Sequence, residues 1–272
     1  MLYIASVIYN KRISDIASLD EIFSFSDSIG KDDIKLIVVD NSDETSELTS
    51  EEQEMIVSRN IKYIQNGTNL GLSKAYNKAF DYAVSISSDP ESDFMFLIDD
   101  DTSLTKEYIS GIYTEVSKSD NLSDGVNVIT GLISADGRPM SPTVGFRFAY
   151  KDSDYIVSPG VYDDICCINS GMAVRLSALK EIGGFDESLF LDMVDYTMLY
   201  KLSEKKKCKV LVIPENIVQS FSGRDEKDKE ALYRRYEIYK KDFATFCKIT
   251  GRSRLYAWLH LLKRKIAIEI KS

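Results

Sequence analysis

The stretch Phe94-Met95-Phe96-Leu97-Ile98-Asp99-Asp100-Asp101 decides how this chain folds. Five consecutive apolar residues are typical of a strand that is buried on both faces of a parallel sheet. Three carboxylates follow at once. Ligands of such sheets bind at the carboxyl ends of the strands. The stretch therefore predicts a buried parallel strand that ends at a binding site.

Segments before and after this stretch repeat the pattern. Apolar runs at Leu2–Ile8 and at 36–39 end at Asn10 and Asp40, and a third strand is predicted at 61–64. Between 72 and 83, apolar residues recur at i, i+3, i+4, i+7 and i+11, which indicates an amphipathic helix. Strands that alternate with helices in this way predict an α/β fold with a mainly parallel sheet and right-handed crossovers.

The second half of the chain is less regular. It predicts strands at 126–133, 145–150 and 209–213, and helices at 192–203 and 225–250. A basic and apolar tail follows from Arg252 to Lys271. On this tail two interpretations are open: it lies on an anionic membrane surface, or it packs as a helix on the domain or on a second subunit.

Composition excludes several classes of protein. A net charge of -9 over 272 residues argues against binding to nucleic acid. The four cysteines form no CxxC pair, which indicates neither a zinc site nor a disulfide framework. No signal peptide or spanning segment is recognisable, so we expect a cytoplasmic location. The single histidine, His260, excludes a Ser-His-Asp triad and is expected to be a packing residue.

Two groups of carboxylates could carry chemistry. Three adjacent carboxylates repel one another, and Asp99 and Asp101 point to the same side of an extended segment. A divalent cation, Mn2+ or Mg2+, would relieve the repulsion; the alternative is a solvated turn or a helix cap.

Asp192 and Asp195 lie three apart in a predicted helix, so one of them could be a general base. Their alternative role is at a helix start.

The turn from Asn69 to Gly71 precedes a predicted helix, where backbone N–H groups could bind an anion. No glycine-rich dinucleotide or P-loop motif occurs, so dehydrogenases and P-loop NTPases are not indicated.

Taken in order, the motifs resemble the family 2 glycosyltransferases, in particular the bacterial rhamnosyltransferase-like and galactofuranosyltransferase-like branch. The resemblance runs from about Tyr3 to Gly223. It rests on Val7-Ile8-Tyr9-Asn10, Val38-Val39-Asp40-Asn41-Ser42, Asn69-Leu70-Gly71 through Asn77, Leu97 to Thr102, Asn169-Ser170-Gly171, and the segment from Ile182 to Asp195.

The resemblance implies a GT-A fold and an inverting transfer from a nucleotide-diphosphate sugar, UDP- or dTDP-linked, to a hydroxyl of a glycan acceptor on a lipid or protein carrier. It also implies roles for single residues. Tyr9, Asn10 and Asp40 would hold the nucleoside, and Asn69 and Gly71 would lie near the ribose and diphosphate. Asp99 and Asp100 would contact the nucleotide sugar, and Asp101 and Asp99 would bind the metal. Asp195 would be the base with Asp192 beside it, and Ser170 and Gly171 would line the sugar pocket.

Domain boundaries follow from the same resemblance. We expect a catalytic domain at 1–223, with a nucleotide-binding half at about 1–103 and an acceptor-binding half at about 104–223. A helical extension would occupy 224–272. Many relatives carry a metal-binding His near the end of the catalytic domain, where this chain has Ser220, and a further acidic residue where it has Thr197.

Two other functions stay open at this point. One is a noncatalytic protein that kept the fold and binds a nucleotide sugar. The other is a HAD-like phosphatase, because Asp99-Asp100-Asp101-Thr102-Ser103 superficially resembles the strand-end motif of those enzymes.

Overall fold

The computed structural model describes residues 1–30, 33–44, 47–118, 125–146, 151–205, 208–219 and 228–271. Within these ranges a sheet of nine strands forms the centre, and two short paired strands, Thr143–Val144 and Ile165–Cys166, lie beside it. The strands are β1 (Leu2–Ile8), β2 (Ile34–Asp40), β3 (Lys62–Gln65), β4 (Phe94–Asp99), β5 (Val126–Ala135), β6 (Arg138–Ser141), β7 (Thr143–Val144), β8 (Gly160–Asp163), β9 (Ile165–Cys166), β10 (Met172–Arg175) and β11 (Lys209–Gln219). The helices are α1 (Leu19–Ile29), α2 (Ser50–Ser58), α3 (Leu72–Ile86), α4 (Lys106–Ser117), α5 (Leu176–Glu181), α6 (Val194–Glu204), α7 (Lys229–Ile249) and α8 (Arg254–Lys271).

The strand order in the main sheet is β3-β2-β1-β4-β10-β5-β11-β8, and β6 pairs with β5. β1 to β4 are mutually parallel, and β11 runs parallel to β5. β10 is antiparallel to both of its neighbours. The predicted α/β fold with a mainly parallel sheet is confirmed.

The β4 run is apolar throughout because both faces of the sheet are covered. Met95 and Leu97 face one core layer, which α3, α5 and α6 cover. Phe96 and Ile98 face the other layer, under α1 and α4. Each side chain of the strand is thus removed from water, which is the main favourable contribution to folding.

The sheet register brings the polar strand ends together. β1 lies between β2 and β4, with Ile8 opposite Asp40 and Val7 opposite Asp99. Asp40 and Asp99 therefore lie at the same edge of the sheet, with β1 between them.

The predicted elements differ from the structure at two places. Residues 145 and 146 form a bend instead of the predicted strand, and 147–150 lie outside the described residues. The helix predicted from 192 begins at Val194, because Met193 adopts a left-handed conformation with a φ of 63° and acts as the N-cap. Asp192 therefore lies before the helix and does not share a helical turn with Asp195.

The C-terminal segment forms two helices that pack against each other. His260 of α8 stacks on Phe243 of α7 with ring centroids 4.4 Å apart, and its Nε2 lies 2.8 Å from the hydroxyl of Tyr239. The expectation that His260 is a packing residue is confirmed. None of the helices in the described part of the chain combines the length and the apolarity needed to cross a bilayer.

Candidate active site

A cavity of about 380 Å³ opens at the carboxyl ends of β1 and β2. This volume is within the usual range of small-molecule sites. Its polar wall carries both signs of charge. The lining residues are Ile8, Asn10, Lys11, Arg12, Ile13, Asp15, Asp40, Ser42, Glu44, Leu48, Glu52 and Tyr63.

Asp40, with 5% of its surface exposed, is one of two buried carboxylates that line this cavity, the other being Glu52. Its Oδ1 accepts hydrogen bonds from the backbone N–H and the hydroxyl of Ser42, at 3.0 and 2.6 Å. Its Oδ2 accepts from the Tyr63 hydroxyl at 2.7 Å. These three donors fix the orientation of the carboxylate, as a recognition site requires.

Asn10 and Tyr9 follow β1 on the open side of the cavity. Asn10 has a φ of 52°, a conformation that asparagine tolerates better than most residues. Its backbone N–H donates to the Ser42 hydroxyl at 2.9 Å. The Tyr9 hydroxyl donates to Asp43 at 2.7 Å, and the Tyr9 side chain is largely exposed. Of the three residues expected to hold a nucleoside, Asn10 and Asp40 line the cavity.

The turn from Asn69 to Leu72 uses its backbone N–H groups within the protein. The N–H of Asn69 donates to Asp43, that of Leu70 to the side chain of Asn41, and that of Gly71 to the side chain of Asn69. The N–H of Leu72 donates to the Phe190 carbonyl at 2.5 Å. Protein acceptors thus occupy these four N–H groups in this structure, and the role of Asn69 and Gly71 near the ribose and diphosphate stays a prediction.

Asp99, at the end of β4, stands among other carboxylates. Burial raises its pKa to about 7, and the charges of Asp101, Asp195 and Asp100 add to the effect. The Tyr76 hydroxyl donates to its Oδ1 at 3.4 Å and partly opposes the rise. Asp101 itself is exposed. The structure thus brings the triple aspartate and Asp195 within electrostatic range of each other.

Asp195 lies in the first turn of α6. Burial raises its pKa to about 6, while backbone hydrogen bonds from Tyr196 and Asn169 hold it lower than burial alone would. The nearby charge of Asp192 raises it further. A partly exposed carboxylate with a pKa near neutrality is suited to accept a proton.

Asp192 is held by an ion pair that sequence reasoning missed. Arg235 of α7 contacts both of its carboxylate oxygens, with Nη2 2.7 Å from Oδ1 and Nη1 on Oδ2. The partner lies 43 residues away along the chain. Within the described structure Asp192 therefore forms a two-pronged pair with an arginine, a geometry that fixes its position.

Ser170 and Gly171 are both buried. Ser170 has no exposed surface; its hydroxyl accepts from the N–H of Asp99 at 3.2 Å and donates to Thr102 at 2.7 Å. Gly171 lies against Tyr108, whose hydroxyl donates to its carbonyl at 2.6 Å. The pair supports the end of β4 in this structure, and the lining of a sugar pocket that the resemblance implies for it stays a prediction.

Lys11 connects the cavity to the carboxylates. It lines the cavity, and its Nζ lies 2.9 Å from Oδ1 of Asp100. The sequence contains no signal that pairs these two residues, since they are 89 positions apart. Lys11 therefore links the cavity to the triple aspartate, which lies within electrostatic range of Asp195.

Comparison with known proteins assigns the chain to a family. The sequence model described as "Glycosyl transferase family 2" matches residues 7–183. This match covers more than half of the chain, so the chain belongs to glycosyl transferase family 2. A comparison with curated proteins found no significant match.

Solved structures show the same GT-A fold. TarS from S. aureus superimposes with a TM-score of 0.56 at 16% identity, over 90% of this chain and 39% of TarS. The mannosyltransferase PcManGT from Pyrobaculum calidifontis, solved with GDP-Man and Mn2+, gives 0.56 at 13% identity, over 99% of this chain and 72% of that one. GalNAc-T7, solved with UDP, GalNAc and Mn2+, superimposes with a TM-score of 0.58 at 11% identity, over 82% of this chain and 44% of GalNAc-T7. This chain thus spans about two fifths of TarS.

Proposed function

We propose that this chain transfers a sugar from a nucleoside-diphosphate sugar, UDP- or dTDP-linked, to a hydroxyl of a glycan acceptor. One observation carries the proposal. Lys11, in the wall of a cavity of nucleoside size, is paired with Asp100 of the carboxylate cluster. A ligand with its nucleoside in the cavity and its diphosphate past Lys11 would therefore extend toward Asp99, Asp101 and Asp195.

The carboxylates fit a divalent cation, Mn2+ or Mg2+. Burial, together with the repulsion of the neighbouring carboxylates, raises the pKa of Asp99 to about 7, and a cation at Asp101 and Asp99 would relieve that repulsion. Among the described residues no group of three or more His, Cys, Asp or Glu is arranged to hold a metal, and Ser220 lies outside them. One or two carboxylates suffice where phosphate oxygens complete the shell. When bound, such an ion would supply charge stabilisation for the leaving diphosphate.

Asp195 is the base in this proposal. Its ionised form would accept the proton of the acceptor hydroxyl while that oxygen attacks the anomeric carbon and the bond to the diphosphate breaks. A single displacement of this kind inverts the configuration at that carbon. Asp192, held by Arg235, would bind a hydroxyl of the acceptor beside the base. Lys11 would attract the diphosphate as it gains charge.

The finer assignments belong to the same proposal. We place the chain in the rhamnosyltransferase-like and galactofuranosyltransferase-like branch, on the motifs from Val7 to Asp195, with a growing cell-surface glycan as the acceptor. We also propose a catalytic domain at 1–223 and a helical extension at 224–272. The match to the glycosyltransferase family over 7–183 supports these assignments and leaves the phosphatase alternative without support.

A thermal-shift screen tests the proposal. UDP, dTDP and GDP with their sugars are each added with and without Mn2+ or Mg2+, because a ligand of the folded state raises its melting temperature by mass action. We expect metal-dependent stabilisation by one nucleotide, lost in Asp101→Ala and kept in Asp81→Asn, an exposed carboxylate on α3. No shift with any nucleotide would overturn the proposal. Binding with no turnover on any glycan acceptor would favour the noncatalytic alternative.

A further inference from the structure

Helix α8 exposes an apolar stripe along its whole length. Trp258 is 57% exposed, Leu255 64% and Ile270 79%. Residues at i, i+3, i+4, i+7, i+11 and i+15 lie on one face of an α-helix. The stripe consists of Leu255, Trp258, Leu259, Leu262, Ile266 and Ile270.

The opposite face of α8 packs on the protein. Tyr256 and His260 stack on Phe243 of α7, and the guanidinium of Arg264 lies 3.6 Å from the ring centroid of Tyr239. The packing of α8 against its own chain therefore uses one face and leaves the stripe in solvent. Six large apolar side chains on one exposed face are far more than scattered surface residues would explain.

Cations border the stripe. Helical geometry places Lys263 along one side of it and Arg254 and Lys265 along the other, and all three are exposed. From 248 to 271 the chain has seven Lys or Arg and one acid, Glu269, which pairs with Lys229 of α7. The net charge of the remaining residues is therefore more negative than the -9 of the whole chain.

We propose that α8 lies in the surface of a membrane that contains anionic lipids. The stripe would insert below the headgroups, and Arg254, Lys263 and Lys265 would contact lipid phosphates. An apolar band between two rows of cations matches a layer whose surface is anionic and whose interior is hydrocarbon. A second copy paired stripe to stripe would cover the apolar residues but would bring the bordering cations of the two copies together, whereas an anionic lipid surface neutralises them.

The helix is close to the candidate active site. Arg235, which holds Asp192, is one turn from Tyr239, and Arg264 of α8 covers the ring of Tyr239. Only α7 separates α8 from the residues around Asp192. A membrane-bound α8 would thus place the acceptor side of the cleft near the lipid surface. The membrane contact itself does not depend on the proposed reaction.

Trp258 makes the test direct, because it is the only tryptophan in the chain. Vesicles of phosphatidylcholine with phosphatidylglycerol, and vesicles of phosphatidylcholine alone, are added to the full-length protein. We expect the emission of Trp258 to shift to shorter wavelength and the protein to co-sediment with the anionic vesicles only. High salt should reverse part of the binding, since it screens the phosphates.

Three variants separate the contributions. Lys263→Glu with Lys265→Glu should weaken binding at least about 25-fold, from the attraction of each cation near an anionic surface. Leu259→Asp with Leu262→Asp should abolish it. Val57→Asp changes an exposed apolar residue of α2, 81% exposed, and should bind as the wild type does. All replaced side chains are exposed, and unchanged melting temperatures would confirm that the variants fold.

Two results would overturn the proposal. One is an emission spectrum and a sedimentation profile that anionic vesicles leave unchanged. The other is a wild-type protein that self-associates through the stripe, becomes monomeric in Leu259→Asp with Leu262→Asp, and shows no response to vesicles. Nucleotide binding is measured separately, so failure here would leave the proposed glycosyl transfer intact.

Discussion

The buried carboxylate of Asp242 on α7 accepts the backbone N–H of Asp192 at 2.8 Å. It also accepts the N–H groups of Leu191 at 2.8 Å and Phe190 at 2.9 Å. Three consecutive N–H groups thus converge on one carboxylate that is 2% exposed. A helix from the C-terminal extension therefore holds the loop that leads to the proposed base.

Asp242→Asn should damage turnover more than donor binding. The amide presents one oxygen and two N–H donors, so at least one backbone N–H would lose its acceptor at a cost of about 1–3 kcal/mol. We expect kcat to fall by roughly tenfold or more and the KM for the donor to stay near the wild-type value. Steady-state kinetics and thermal melts check this.

The control for this variant is Glu237→Gln on the same helix, where an exposed pair with Lys240 is worth little. A lower melting temperature with wild-type kcat in Asp242→Asn would show that Asp242 serves folding alone.

Arg235→Met should move the pH profile of the enzyme. Without the guanidinium, the full charge of Asp192 acts on Asp195, whose pKa Asp192 already raises. We expect the acidic limb of kcat/KM to shift upward by about half a pH unit. Arg234→Met is the matched control, because the neighbouring Arg234 is 68% exposed and contacts only Asp228 and Glu230 among the ion pairs described. An unshifted limb in Arg235→Met would contradict the coupling.

If Asp195 is the base, its pKa sets the acidic limb of the kcat/KM pH profile of the wild-type enzyme. The pKa of Asp195 is raised to about 6, chiefly by burial. A base works when ionised, so kcat/KM should fall as the pH drops through about 6. Asp195→Asn should lower kcat by about 10²–10⁴-fold and remove this limb from the residual rate. A limb that persists in the variant would assign it to another group.

The carboxylate of Asp195 should also lower the stability of the folded protein at high pH. Its folded pKa of about 6 lies above the ordinary value of 3.8, so the folded chain binds more protons than the unfolded chain between these values. Stability therefore falls as the pH rises through that window. We expect Asp195→Asn to melt about 6–12 °C above the wild type at pH 8, from about 3 kcal/mol of linkage, and at the same temperature at pH 3. An equal difference at both values would contradict this origin.

The strands and helices near the triple aspartate could be predicted because their signals are local. Apolar runs that end in Asn10, Asp40 and Asp99 define β1, β2 and β4, and the periodicity after Gly71 defines α3. The antiparallel β10 could not be predicted, since Met172–Arg175 is four residues long and pairs with strands far away in the chain.

The roles of single site residues depended on partners that spacing does not reveal. Asp192 pairs with Arg235, 43 positions away, and the N–H groups at 69–72 are satisfied by Asn69 of the same turn and by residues from two other loops. The sequence therefore identified which carboxylates gather, while their orientation was set by long-range contacts.

Gly71 offers a final test, because it packs against Phe190 in the loop that contains Asp192. It has a φ of 84°, and a Cβ there would come within 2.7 Å of both the ring and the carbonyl oxygen of Phe190. Gly71→Ala must therefore move Phe190, whose carbonyl accepts from Leu72. Backbone strain of about 1–2 kcal/mol adds to a clash of about 1–3 kcal/mol.

Gly67→Ala is the matched control for that clash. Gly67 has a φ of 72°, but a Cβ there would meet nothing within 4 Å, so only the backbone strain remains. We expect both variants to lose stability in denaturant melts, Gly71→Ala by more, and only Gly71→Ala to lose kcat. Equal losses of stability with unchanged kcat in both would show that the contact between Gly71 and Phe190 does not position the catalytic loop.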